Sequence, residues 1–159
     1  MLELEPHLDP GQTAPAICLP RDGGGTTSLT DFAGKPVVVY FYPKDDTPGC
    51  TVEAKGFTEL VADFAAAGAT VLGISKDSVK LHDKFRDKYD LRIALLSDET
   101  GDVCERYGVW VEKDTFGKTY MGIERATFLI DGAGQIARVW RKVKVEGHTE
   151  EVLAAVLAL

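Results

Sequence analysis

The sequence predicts an α/β fold built on a mixed sheet, and two observations predict it. First, two apolar, β-branched runs at residues 36–42 and 69–75 flank a segment with helical periodicity. A strand–helix–strand unit of that kind is right-handed, with parallel strands. Second, two later runs at residues 125–130 and 135–143 are joined by Asp131-Gly132-Ala133-Gly134, a hairpin signal. Parallel and antiparallel pairing should therefore meet in one sheet. The 159 residues suffice for one domain, 1–159, with a substantial core.

In chain order, residues 1–12 form a lead-in. Residues 14–20, bounded by Pro15 and Pro20, predict a short edge strand. Asp22-Gly23-Gly24-Gly25 predicts a turn. Its glycines do not make a phosphate cradle, because no Lys-Ser/Thr and no helix follow. Residues 26–29 return as a second strand, and Thr30-Asp31-Phe32 cap a single helical turn before Gly34.

The run 36–42 reads as a buried strand, stopped by Pro43. Thr47-Pro48-Gly49 punctuates the turn, and Cys50 falls in the first turn of the helix that follows. Phe57, Leu60, Val61 and Phe64 share one face of that helix, which should end near Gly68. Residues 69–75 are the next strand. Asp77 or Ser78 caps a helix carrying Leu81, Phe85 and Tyr89. Residues 92–97 predict a strand, and residues 98–107 a short helix with Val103, Cys104 and Tyr107 on one side. Residues 110–122, rich in Lys, Asp, Gly and Thr, predict a long mobile loop; Trp110 and Phe116 there are expected either to wall a pocket or to pack in the core. The chain closes with a helix over 149–159, Val152, Leu153, Val156 and Leu157 facing inward, with His148 before it as a cap or surface residue.

Composition narrows the function. Apolar residues at 45% and charged residues at 27% are ordinary for a soluble globular protein. Eighteen basic against 25 acidic residues give a net charge of −7, which argues against nucleic-acid and anionic-membrane partners. The basic residues from Arg138 to Lys144 alternate with apolar ones, as on a solvated strand face. No apolar run approaches the ~20 residues needed to span a bilayer. Met-Leu-Glu-Leu-Glu is no signal peptide, so a cytoplasmic location is expected. Three cysteines without CxxC or zinc spacing exclude a disulfide scaffold. His7, His82 and His148 are scattered without ligand spacing, and neither metal nor other cofactor is expected.

Cys50 carries the chemistry. The N–H groups that open a helix lack partners and its dipole is positive there. A sulfur at that end is favoured as thiolate, the reactive form. It would also lie at the carboxyl end of a central strand, where open α/β sheets place their sites. The ordinary reading, a small buried residue, competes with this one.

The stretch Tyr-Phe-Tyr-Pro-Lys-Asp-Asp-Thr-Pro-Gly-Cys-Thr-Val-Glu-Ala resembles the active-site segment of the peroxiredoxins, with Pro43, Thr47 and Cys50 in the Pro-x-x-x-Thr-x-x-Cys pattern. The wider wording resembles the bacterioferritin comigratory protein, or peroxiredoxin Q, subfamily. The likeness extends to residues 107–110, 125–131 and 147–153. It implies a thioredoxin-like fold with an N-terminal hairpin and an αβα insertion. It also implies a hydroperoxide reductase in which Cys50 becomes a sulfenic acid. Thr47 would contact sulfur and peroxide, and Pro43 would shield the site from water. Arg125 would face the sulfur, oriented by Glu53. The N–H groups of Gly49 and Cys50 would meet the substrate oxygen. Hydrogen peroxide and alkyl hydroperoxides are the implied substrates. Thioredoxin, or glutaredoxin with glutathione, is the implied reductant, and a monomer the implied state.

The chain departs from the subfamily where a resolving cysteine is usual: Lys55 and Arg86 stand there. A one-cysteine mode with an external thiol is the expectation, with Cys18 and Cys104 as packed thiols. The missing cysteines also motivate a rival reading, a redox-linked chaperone or binding protein with vestigial peroxidase activity. A free thiol of pKa ~8.5 is only about 3 per cent ionised at pH 7, so ionisation alone supplies ~30-fold at most. Positioning and transition-state electrostatics must supply the rest.

Overall fold

The computed structural model describes residues 8–159. The beginning of the lead-in expected over 1–12, with His7, lies outside the described residues. In chain order the elements are β1 (Cys18–Pro20), β2 (Thr26–Ser28), a 3-10 turn (Leu29–Phe32), β3 (Val37–Phe41), α1 (Pro48–Glu59), α2 (Val61–Ala66), β4 (Thr70–Ser75), α3 (Val79–Tyr89), β5 (Ala94–Ser97), α4 (Val103–Arg106), β6 (Trp110–Thr115), β7 (Lys118–Ile123), β8 (Ala126–Ile130), β9 (Ile136–Arg141) and α5 (His148–Leu157).

Five strands form the central sheet in the order β5-β4-β3-β8-β9. β3 pairs parallel with β4, and β4 with β5. β8 is antiparallel to both β3 and β9. β3 is buried at every position, with Val37, Val39 and Phe41 in one core and Val38 and Tyr40 in the other. Burial on both faces is why this run is continuously apolar. Ala54, Phe57, Phe64, Phe85, Val152 and Val156 bring α1, α2, α3 and α5 onto one face. Val103 and Cys104 of α4, with Ile17 and Leu19, cover the other. α1 and α5 approach closely at Gly56, where a Cβ would lie 2.9 Å from the Thr149 side chain.

Several expectations are corrected. The residues 110–122 are a hairpin, β6–β7, rather than a loop. Its turn places Phe116 and Gly117 at positive φ, 54° and 76°, which suits the twist of a two-residue hairpin turn. Phe116 is fully exposed at that tip, so it neither packs in the core nor walls a pocket. Trp110 is half-buried, with the Lys76 ammonium 4.9 Å from its ring centroid. The helix after Cys50 divides at Leu60 into α1 and α2, and Gly68 at φ 78° follows α2. The helix expected over 98–107 shortens to α4, because the Asp98 carboxylate accepts from the N–H groups of Val103 (3.2 Å) and Cys104 (2.8 Å). The 3-10 turn starts after Ser28, whose N–H donates to Asp31, so Thr30 is not its cap. Cys18 is exposed, since strand alternation turns it outward while Ile17 and Leu19 point in. Ser78 caps α3 as anticipated, accepting from the Leu81 N–H at 3.2 Å. No helix among the described residues is long and apolar enough to cross a membrane.

Candidate active site

Local sequence places Cys50. Pro43 breaks strand pairing after Tyr42, and the chain crosses an exposed loop in which Asp46 takes a left-handed φ of 58°. Pro48 occupies the first helical turn, where its missing N–H costs nothing. Thr47 precedes it in extended conformation. Its hydroxyl donates to the Lys44 carbonyl at 2.8 Å instead of capping α1 or donating to the sulfur. The first helical N–H bond is that of Thr51 to Thr47. The N–H groups of Gly49 and Cys50 therefore open the helix without a side-chain cap, at its positive end. Cys50 itself is 1% exposed.

Long-range pairing supplies the charge. β8 lies beside β3 with Ala126 opposite Phe41, so Arg125 emerges at the end of the sheet where Cys50 sits. Its Nη2 donates to Cys50 Sγ at 3.4 Å, and its Nη1 donates to Glu53 Oε1 at 2.7 Å. One guanidinium thus spans sulfur and carboxylate in a fixed plane, which a lysine would not do. Gly49 permits the approach, since a Cβ there would stand 3.1 Å from Arg125 Nη2. Burial works against the guanidinium's charge, and Glu53 and Cys50 more than restore it.

Glu53 is wholly buried, and its Oε2 has no hydrogen-bond partner among the described residues. Burial pushes its carboxyl up to about 7 against the pull of Arg125. The native state then holds a proton between the unfolded value near 4.5 and about 7 that the unfolded chain releases. Stability contributed by neutral Glu53 is full below that window and declines as pH rises through it. At ~1.4 kcal/mol per unit the decline is on the order of 3 kcal/mol. Glu53→Gln, which cannot ionise, is therefore expected to gain in melting temperature relative to the parent between pH 5 and 8. A constant difference across those pH values would show that Glu53 does not titrate there.

His148 feels the charge of Arg125 and is buried, not a cap or surface group. Its Nε2 lies 2.8 Å from the Thr127 hydroxyl, and burial lowers its basicity, with Arg125 adding to the effect and Glu151 opposing it. Sequence reasoning missed it, as it missed Asp45 and His82, which meet beneath the loop at 2.6 Å. Only the shared neighbourhood of Asp45 and the Pro43–Thr47 pattern hinted at that contact. A hollow of about 760 Å³ lies elsewhere, beside Arg21, Arg86 and Arg92. None of its lining residues is a cysteine, and these arginines pair with Asp22, Asp83, Asp87 and Asp90.

Known proteins resemble this chain in sequence and fold. The model of the AhpC/TSA family matches residues 10–139. A putative peroxiredoxin bcp of Coxiella burnetii is 58% identical over 92% of this chain and 97% of its own length. Peroxiredoxin Bcp of Bacillus subtilis is 48% identical over 92% and 93%. Among solved structures, the Xanthomonas campestris bacterioferritin comigratory protein, studied for alkyl peroxide reduction, superposes with a TM-score of 0.88 at 45% identity, covering 94% of this chain and 98% of that one.

Proposed function

The chain belongs to the AhpC/TSA family and is a thiol-dependent peroxidase of thioredoxin-like fold, and from that premise we propose that it reduces hydroperoxides at Cys50 in a one-cysteine mode. The observation that carries the proposal is the Arg125 guanidinium, 3.4 Å from Sγ and held at 2.7 Å by Glu53.

The Cys50 thiolate attacks one oxygen of ROOH. A sulfur–oxygen bond forms, the O–O bond breaks, and the departing RO⁻ takes a proton to become ROH. Arg125 stabilises negative charge first on sulfur and then on the leaving oxygen. The uncapped N–H groups of Gly49 and Cys50 add donors at the same place. Thr47, whose proton is committed to Lys44, keeps its lone pairs to accept from the peroxide O–H. Pro43 shields the loop side, and Glu53 orients Arg125. The sulfenic acid loses water to an external thiol, forming a mixed disulfide, and a second thiol releases Cys50 reduced. The substrates are hydrogen peroxide and alkyl hydroperoxides, the latter by analogy with the Xanthomonas protein. Thioredoxin, or glutaredoxin with glutathione, supplies the thiols to a monomeric cytoplasmic protein.

Features at Lys55, Arg86 and Cys104 support the one-cysteine mode. Lys55 stands over the Tyr89 ring at 5.9 Å, and Arg86 is tied to Asp22 and Asp83. Cys104 is buried, and burial together with Asp98 pushes its thiol far up, away from the reactive form. After one equivalent of peroxide, intact-mass analysis should show one added oxygen on Cys50. A rapid intramolecular disulfide to Cys18 or Cys104 would overturn the one-cysteine mode and leave the peroxidase reading standing.

A further inference from the structure

We propose that His82 is a positioning residue for this peroxide reaction, holding Asp45 and through it the 43–47 loop that leads into the Cys50 helix. The proposal rests on Cys50 being the reacting thiol.

The geometry is a buried chain of hydrogen bonds across the ends of three strands. His82 is fully buried on α3. Its Nε2 lies 2.8 Å from the Leu96 carbonyl of β5, and its Nδ1 lies 2.6 Å from Asp45 Oδ2. The other Asp45 oxygen accepts from the Tyr42 hydroxyl at 2.6 Å. The Asp45 N–H donates to Asp77 Oδ2 at 2.8 Å, and that oxygen also accepts from the Ser75 hydroxyl at 2.7 Å. The next residue, Asp46, accepts from Lys88 Nζ at 2.8 Å and from the Tyr89 hydroxyl at 2.7 Å. Two consecutive loop residues are thus fastened to α3, immediately before Thr47 and the start of α1.

Asp45, Asp77 and His82 also bring three possible metal ligands within 4.8 Å of one another. Both ring nitrogens and the facing carboxylate oxygens are already engaged within the protein, so the cluster acts as a clamp.

A carbonyl only accepts, so Nε2 must carry a proton, and Nδ1 needs a second to hold an ionised Asp45. The clamp on an ionised Asp45 therefore requires imidazolium. The titratable groups facing the ring are Asp45 from the loop, Tyr42 beyond β3 and Asp77 beyond β4. Burial disfavours the imidazolium charge, while Asp45, Leu96 and Asp77 raise it above the ordinary histidine range. The clamp is therefore complete below about pH 6.5 and loosens as pH rises through the higher native value. Loosening releases the loop before Cys50, and small misplacements of reacting groups are costly.

The test follows single-turnover oxidation of Cys50 by hydrogen peroxide from pH 6 to 10, with the melting temperature at each pH. The wild-type rate should fall with the titration of His82, followed by NMR of its ring. His82→Gln should be about tenfold slower near pH 7, because the loop is misplaced, and should lack the falling limb. A His82→Gln protein that melts lower yet keeps the wild-type rate and pH profile would overturn the proposal. Should that variant not fold, a wild-type falling limb that is absent, or displaced from the ring titration, overturns it equally. Either failure leaves wild-type peroxide turnover intact, so it is distinct from failure of the peroxidase reading.

Discussion

Cys50→Ser is expected to reduce thiol-dependent peroxide consumption to the uncatalysed level while the protein stays folded. A serine hydroxyl is not ionised at neutral pH, and the described site offers no neighbouring base within hydrogen-bond reach to activate one. The substitution is nearly isosteric in a residue 1% exposed, and Arg125 can donate to oxygen as it does to sulfur. The stability change should therefore stay near 1 kcal/mol. A coupled assay with thioredoxin and its reductase, run beside thermal melts, separates the two effects. Peroxide turnover that survives the substitution would remove Cys50 from the mechanism, and with it the one-cysteine mode.

Arg125→Gln should lower kcat/KM for hydrogen peroxide by about 10²–10³, the usual cost of losing a principal electrostatic donor at a developing anion. Arg125→Lys should recover only part of this, since an ammonium cannot span Sγ and Glu53 together. Stability adds a second signature. Glu53 loses the one cation that lowers its carboxyl, and becomes a neutral acid over a wider pH range. Loss of melting temperature in Arg125→Gln should then be small near pH 5 and grow above pH 7, as ionisation of an unpaired buried carboxylate becomes costly. A rate within threefold of the parent would make the guanidinium a structural partner of Glu53 and nothing more.

The legible parts of this chain were those with a strong local period. The run around β3 was readable because both its faces are buried, and the turn 47–49 because proline and glycine mark it. Cys50 became a candidate from that context, and the family resemblance gave it the role of reacting thiol. Arg125 and Glu53 did not: the residues lie 72 positions apart, and only resemblance to a family joined them before strand pairing did. The β6–β7 hairpin was hidden because neither face of the ribbon is uniformly buried, so no alternation is written into Val111 to Thr115. Its Phe-Gly turn also lacks the usual Asn-Gly or Asp-Gly mark. The Asp45–His82 contact was unreadable for a related reason. It crosses 37 residues, and it exists only because β4 and β5 stack in sequence beside β3.

Arg125 reaches Cys50 from 75 positions downstream, immediately before β8, which follows the β3–α1–β4 unit in the chain. On the proposed mechanism, a chain that ends before Arg125 keeps its sulfur but lacks the donor that would stabilise the leaving oxygen.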